Sequence, residues 1–250
     1  MNHPMIAPPG QQAPTRRLLV VAGIASLLFG ILLFVPLIVL GAAINWPASL
    51  DEPATGIIPR IVEEADAVRV GYLVYLAYSV AFLPVVWLVG QVVRSSSMTR
   101  LAVLFAALST LARSIGIIRW LTVLPALAAG YVAGPNDAEA VVFDAINTFG
   151  GAIGELLGVS AFAALSLTFL SVAILRSDTL PAWLGAFGFV VVAALLLPWL
   201  EVFGADLGAA ISVSSALVQL WFLVLGTVLL LRAARPGRRP LLPADRAARR

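Results

Sequence analysis

Six long apolar stretches divide this chain, and each is about as long as a helix that crosses a membrane. Such a helix needs roughly 20 apolar residues to cross about 30 Å of hydrocarbon. It also satisfies its own backbone hydrogen bonds there, where no water can do so. The pattern therefore predicts an all-α fold, a polytopic membrane helix bundle with six transmembrane helices. The predicted spans are residues 18–43, 70–93, 101–129, 152–175, 180–200 and 207–231.

The polar gaps between the spans alternate in charge. All 16 basic residues are arginines, and 12 of them lie in the two chain ends and in every second gap. The other gaps, within residues 44–69, 130–151 and 201–206, hold most of the acidic residues. Cytoplasmic loops carry the excess of basic residues in membrane proteins, so this alternation predicts that both termini are cytoplasmic.

The two chain ends lack the apolar pattern of the spans. Residues 1–17 form a proline-rich leader, and residues 232–250 form a tail with seven arginines that three prolines interrupt. Both segments are predicted to be disordered, which leaves one six-span domain over residues 18–231. The tail is expected to contact anionic lipid, at about 1 kcal/mol per arginine near the surface. A general topology anchor is the alternative interpretation.

Composition narrows the chemistry. The chain is 61% hydrophobic and 12% charged, far from the soluble average of roughly 45 to 50% apolar and about 25% charged. It has no cysteine, which excludes disulfides, and its single histidine, His3, leaves metal and haem sites without their usual ligands. No metal, cofactor or nucleic-acid partner is therefore expected.

The two larger outer connections are each predicted to contain a short amphipathic helix. In the first, Pro59 is expected to open an acidic helix that leads into the second span. In the second, Asn136 is expected to cap a helix, with Glu139 three residues on, that runs up to Gly150 and Gly151. The inner connections are short, which predicts antiparallel hairpins between spans two and three and between spans four and five.

Small residues recur at four-residue spacing on three spans, which allows helices to approach closely. The stripes are Gly150, Gly154, Gly158; Ala22, Ser26, Gly30; and Gly208, Ser212, Ala216. Packing inside the bundle is one interpretation, and a homo-oligomer through these small-residue faces is the other.

Two arginines break the charge pattern, because Arg113 and Arg119 lie inside the third span. A charge within the membrane is costly, and it usually faces a protein interior or a water-filled cavity. Arg113 is expected roughly 18 Å from the inner end of its span, and Arg119 close to the outer interface. The two point roughly 120° apart around the helix, so one cavity need not hold both.

Depth along the spans predicts which groups surround the two arginines. Tyr75, Tyr78 and Ser212 are expected in the layer of Arg113, and Glu155 is expected level with Arg119 as its ion-pair partner. These six residues form a candidate ligand-binding pocket in the outer leaflet. The alternative is a structural lock, in which Arg119 reaches the headgroups and Arg113 is satisfied by tyrosine hydroxyls and helix carbonyls.

Enzyme motifs are incomplete in this sequence. Glu63 and Glu64 are followed by Arg69 without the histidines of intramembrane prenyl-type proteases, and residues 204–206 give only half of an intramembrane aspartyl-protease motif. No histidine base or Walker loop accompanies a nucleophile. Carboxylate chemistry at Glu155 or Glu201 stays open, and no catalytic residue is assigned.

The third span with Arg113, together with Arg176, Ser177 and the Leu-Pro-Ala-Trp-Leu-Gly segment at 180–185, resembles a family of small six-helix bacterial integral membrane proteins. That family is a domain of unknown function. The resemblance covers roughly residues 15–232, and it implies six spans in a bacterial inner membrane without assigning an activity. The sequence thus favours a protein that binds or transports a small molecule or lipid. A structural or regulatory subunit is the alternative, and a membrane enzyme is a third option.

Overall fold

The computed structural model describes residues 14–94, 96–205 and 210–235, and this part of the chain is helical with short connections. Ten α-helices run in chain order: α1 Arg16–Leu32, α2 Phe34–Ile44, α3 Ala54–Glu63, α4 Ala65–Val93, α5 Ser96–Leu121, α6 Val123–Ala133, α7 Asp137–Gly151, α8 Ala164–Leu175, α9 Ala182–Leu195 and α10 Ala210–Ala234. A π-helix, Ala152–Ala163, joins α7 to α8, and 3₁₀-helices occupy Ala48–Asp51 and Leu197–Phe203.

The six predicted spans are confirmed, and the chain is a multi-pass membrane protein. The apolar helical runs long enough to cross a membrane are Arg16–Ile44, Ala65–Val93, Ser97–Ala133, Asp137–Leu175, Ala182–Phe203 and Val213–Ala234. The third and fourth runs are 37 and 39 residues long, because α6 continues α5 and α7 leads directly into the π-helix. The predicted leader and tail lie outside the described residues, apart from residues 14–17 and 232–235.

Neighbouring spans pack in chain order, and the sixth closes a ring on the first. α1 packs along α10 and α4, α4 along α5, α5 along the π-helix and α8, α8 along α9, and α9 along α10. One end of the ring, which we call the basic end, carries Arg94, Arg100 and Arg176. Arg16 donates a hydrogen bond there to the carbonyl of Ala233, at 3.2 Å, and joins the two chain ends. We call the opposite end the acidic end.

Two apolar cores fill most of the bundle. The first extends through the basic half, where Phe29 of α1 stacks on Tyr78 at 4.4 Å and meets Phe222 of α10 edge-on at 4.6 Å. The second lies at the acidic end and joins α2, α3, α4, α5, α6 and α7 around Trp120, which stacks on Tyr72 at 4.7 Å. The gap between the two cores, at the middle of the bundle, is where the candidate site lies.

Prolines explain where the spans break. Pro36 and Pro125 each lie four residues after the last residue of a helix, Leu32 and Leu121. A proline has no N–H for the carbonyl four residues before it, and its ring clashes with that carbonyl. Spans one and three therefore each divide into two helices near their acidic ends.

One detail of the predicted outer helices is wrong. Helix α3 begins at Ala54, five residues before Pro59, because the N–H of Ala54 is already bonded by the Asp144 carboxylate at 3.2 Å. The second helix does begin after Asn136, whose side chain accepts from the N–H of Glu139 at 2.9 Å. It ends at Gly151, as predicted, and the chain then continues directly into the π-helix.

Candidate functional site

Arg113 lies in the middle of the bundle, 6% exposed, on the side of α5 that faces α4 and the π-helix. Its guanidinium carbon lies 4.8 Å from the ring centre of Tyr78 and 5.8 Å from that of Phe82. The Tyr75 hydroxyl lies beside it, and its Nε has no hydrogen-bond partner among the described residues. A cation over an aromatic face is stabilised by the ring quadrupole, but this contact leaves guanidinium donors available.

Arg119 is equally buried, and it donates hydrogen bonds through both Nη atoms, whereas its Nε, like that of Arg113, has no hydrogen-bond partner among the described residues. Its Nη1 donates to the carbonyl of Gly116 at 3.0 Å, and its Nη2 donates to Asn147 Oδ1 at 3.2 Å. The predicted ion pair is present, with 3.8 Å between Nη2 and Glu155 Oε1. Asn147 in turn donates to the carbonyl of Leu50 at 3.3 Å. The arginine thus ties α5, α7, the π-helix and the connection after α2 into one network.

The predicted glycine stripe makes room for both arginines. A Cβ at Gly150 would come within 2.5 Å of Arg119 Cδ, and one at Gly158 within 2.7 Å of Arg113 Cγ. Between them, a Cβ at Gly154 would come within 3.0 Å of the Cα of Gly116. The stripe therefore packs against α5 inside the chain, where close approach needs glycine on both helices.

A cavity of about 630 Å³ extends from the acidic end towards the middle of the ring. Its deep wall is apolar, and its upper wall carries polar groups from five spans. The deep wall includes Phe29, Leu33, Phe82, Ala163, Leu167 and Leu195, and the upper wall includes Tyr75, Arg113, Glu155, Ser160, Glu201, Ser214, Ser215 and Gln219. The volume falls within the roughly 300–1,000 Å³ of small-molecule sites, which are mostly apolar with a few polar groups.

The cavity reaches the surface of the bundle on one side. Phe34 of α2 and Val202 of the second 3₁₀-helix line it and are 45% and 59% exposed, and Ala216 of α10 is also exposed there. The opening lies between α2 and α10. Helix α1 packs along α10, whereas α2, which continues span one, packs on α3 and α4. Glu201, which is also exposed and lines the cavity, precedes Val202, so the opening combines apolar side chains with a carboxylate.

A second crevice of about 20 Å³ touches both arginines. It is lined by Tyr72, Tyr75, Glu155, Trp120 and both guanidinium-bearing side chains. The 120° separation around α5 therefore does not keep the two arginines apart, because both line one crevice together with Tyr75 of α4 and Glu155 of the π-helix. Only Arg113 also lines the large cavity.

The six sequence-predicted residues are only partly brought together. Arg113, Tyr75 and Tyr78 line the large cavity with Glu155, whereas Arg119 lies behind Glu155. The side chain of Ser212 lies outside the part of the chain that the structure describes. Its neighbours Ser214 and Ser215 line the cavity.

Sequence reasoning missed four features of this site. Gln219 donates to the Tyr78 hydroxyl at 2.8 Å and also lines the cavity. Ser160 was detectable as a polar residue in an apolar span. The apolar deep wall and the π-helix have no sequence signal, because their positions depend on how neighbouring helices pack. π-Helices are rare and often occur at functional sites.

Among the described residues, no group of three or more His, Asp or Glu side chains could hold a metal ion. The site is therefore described by its arginine, its hydroxyl and amide groups, its two carboxylates and its apolar wall.

Comparison with known proteins gives a family and no activity. No curated protein and no solved structure matches the chain. A family model described as "Domain of unknown function (DUF4386)" matches residues 19–233, which include all six spans and every residue of the site. The chain therefore belongs to the DUF4386 family of proteins, whose member here is a six-span membrane bundle with a cavity beside a buried arginine.

Proposed function

We propose that this protein binds an amphiphilic small molecule or lipid, which enters its cavity from the surrounding membrane. The observation that carries the proposal is the cavity of about 630 Å³, with an apolar deep wall and a buried arginine at its polar end. A ligand with an apolar chain and a polar head would match both walls at once. The opening between α2, α10 and the second 3₁₀-helix, where Phe34 and Val202 are exposed, would give such a molecule a route from the hydrocarbon.

We further propose that the membrane is a bacterial inner membrane and that the basic end is cytoplasmic. The proposal is supported by the basic residues, since Arg94, Arg100 and Arg176 all lie at one end and cytoplasmic loops carry such an excess. With that orientation, the cavity lies in the outer half of the bilayer. The first core fills the basic half, so this conformation holds a pocket rather than a passage. Transport would require a second conformation.

Two alternative predictions have less support. A structural subunit would present its glycine stripes to a partner, but Gly154 packs on Gly116, and Gly23 and Gly30 pack on α10. A homo-oligomer stays a prediction, and it would need faces other than these. A membrane enzyme would use Glu155 or Glu201, which line the cavity, yet Glu155 is close to Arg119. The contact of the arginine-rich tail with anionic lipid also stays a prediction.

Photolabelling of the full-length protein in nanodiscs tests the proposed function. The probe is hexadecanol that carries a photoreactive diazirine on its chain. We expect labelled peptides from the π-helix and α8, around Val159 and Leu167, because these residues line the cavity. Lipid-facing positions would be labelled more weakly and without saturation.

Two tryptophan variants, one at the opening and a matched control away from it, test the route into the cavity. Ala216→Trp places a large side chain at the exposed edge of the cavity, whereas Leu220→Trp places the same side chain on an exposed position, 49% exposed, that does not line it. We expect the first variant to lower the labelling of Val159 and Leu167 several-fold, and the second to leave it unchanged. Equal labelling in both variants, or no saturable labelling at all, would rule out binding in this cavity.

A further inference from the structure

Arg113 differs from every other described arginine in its surroundings, since it is buried and no described carboxylate lies within 4 Å of it. Arg60 forms an ion pair with Glu52, and Arg119 lies 3.8 Å from Glu155. A buried charge is strongly disfavoured unless it is paired and hydrogen-bonded. Tyr78 and Tyr75 supply a ring face and a hydroxyl, which are partial compensation only.

The unpaired charge lies at the wall of a cavity large enough for a ligand. Among the described residues, its Nε lacks a hydrogen-bond partner, as does that of Arg119, and Oε1 of Gln219, which lines the same wall as Arg113, lacks one too. Ser160, Ser214 and Ser215 add hydroxyl groups around it. These groups could together surround a small polar head.

We infer that the ligand is an amphiphile with an anionic head, a carboxylate or phosphate group, which Arg113 binds while the apolar chain lies against Phe29, Phe82 and Leu167. The inference rests on the proposed function, and it adds that the polar head of the ligand is negatively charged. Arginine suits this role because its planar fork matches carboxylate and phosphate oxygens. In a site with little water, the charge pair also counts for more than it would at the surface.

The two carboxylates that line the cavity do not reverse this assignment. Glu155 lies 3.8 Å from Arg119, so part of its field is compensated, and its side chain is 52% exposed. Glu201 is exposed at the acidic end. Water and salt screen such exposed charges far more than they screen the buried charge of Arg113. A cationic head bound by these carboxylates is the competing outcome that the experiment must detect.

The test uses three probes with the same chain and different heads: palmitic acid, hexadecanol and hexadecyltrimethylammonium. Each competes, at alkaline pH, with the photoreactive hexadecanol for the cavity of the full-length protein in nanodiscs of zwitterionic lipid. We expect palmitate to compete roughly 10- to 100-fold better than hexadecanol, which corresponds to one charged hydrogen-bonding group. The alkyltrimethylammonium should be the weakest competitor.

Variants of the two arginines separate binding from folding. We expect Arg113→Gln to reduce the preference for palmitate over hexadecanol to about 1 and Arg113→Lys to keep most of it, while hexadecanol binding persists in both. Arg119→Gln is the matched control, because Arg119 does not line the large cavity, and it should keep the wild-type preference. If Arg113→Gln does not fold, the preference of the wild type and of Arg113→Lys still decides the question.

Hexadecyl phosphate forms a fourth competition arm and separates the two anionic heads. Equal competition by all heads, stronger competition by the cation, or an unchanged preference in Arg113→Gln would each overturn the assignment of an anionic head. In all three cases binding in the cavity would still stand. Absence of saturable labelling by any probe would instead overturn the proposed function itself.

Discussion

The two intramembrane arginines show how much the neighbours of a residue decide. Arg113 and Arg119 lie on one helix and are equally buried, at 6% exposed each. Arg119 meets a carbonyl, an amide and a carboxylate, whereas Arg113 meets two aromatic rings, a tyrosine hydroxyl and a cavity. Arg119 is held inside the chain by these groups, the expected Glu155 among them, whereas the lock interpretation had it reach the headgroups. Arg113 keeps donors that a ligand can use.

We expect Arg119→Leu to destabilise the bundle by about 1–3 kcal/mol. The substitution removes two hydrogen bonds and an ion pair. A hydrogen bond between membrane helices contributes about 0.6 kcal/mol on average, and a hydrogen bond to a charged group contributes more. Thermal unfolding in detergent, followed by tryptophan fluorescence, measures the change. The control is Arg69→Leu, at an exposed position, which should shift stability by no more than about 0.5 kcal/mol. Equal stability of both variants would contradict this contribution of Arg119.

We expect Gly116→Ala to destabilise the contact between α5 and the π-helix by about 1–3 kcal/mol. A Cβ there would come within 2.6 Å of the Cα of Gly154, and backbone cannot move aside as a side chain can. Gly134→Ala is the matched control, because a Cβ at Gly134 would meet nothing within 4 Å. The same unfolding measurement compares the two, and a tolerated Gly116→Ala would mean that the helices can separate at little cost.

At the scale of elements, broken and irregular helices create the space for the site. Spans one and three each break shortly before a proline, Pro36 and Pro125. Span four contains a π-helix over residues 152–163. Span five ends in a 3₁₀-helix that begins beside Pro198. All four irregular segments lie in the acidic half, which is where the cavity lies.

A side chain from another helix caps the start of the short helix α3, whose apolar residues also belong to the second core. The carboxylate of Asp144 on α7 accepts from the N–H of Ala54 at 3.2 Å, which is the role of an N-cap. We expect Asp144→Ala to cost about 0.5–2 kcal/mol and to raise hydrogen exchange in α3. Asp144→Asn keeps the accepting oxygen, so it should lie close to wild type. Unchanged exchange of α3 in Asp144→Ala would show that its apolar contacts alone hold it.

At the scale of the whole molecule, the charge at each end predicts its side of the membrane. The chain has no cysteine, so a single introduced cysteine can be labelled without background. We expect an impermeant maleimide to label Ala138→Cys at the acidic end in intact spheroplasts. It should label Asp178→Cys at the basic end only after permeabilisation. The reverse result would contradict the proposed orientation, and with it the assignment of the cavity to the outer half of the bilayer.

The number and approximate limits of the spans follow from the sequence alone, because the length and hydropathy of a segment are local properties. The cap at Asn136 and the pairing of Arg119 with Glu155 were also predictable, since both depend on spacing along nearly straight helices. The start of α3 was not, because the group that bonds its first N–H comes from residue 144, 90 positions away in the chain.

What the sequence by itself determined is that this chain crosses a membrane six times, and that two arginines lie where charge is costly. Only the tertiary structure decided that Arg119 meets two acceptors and a carboxylate while Arg113 meets aromatic rings and a cavity. Most of these neighbours come from other helices, and small residues, prolines and a π-helix set how closely the helices approach. The cavity beside Arg113 is lined by residues of all six spans, and no local pattern in any one segment encodes how the six come together.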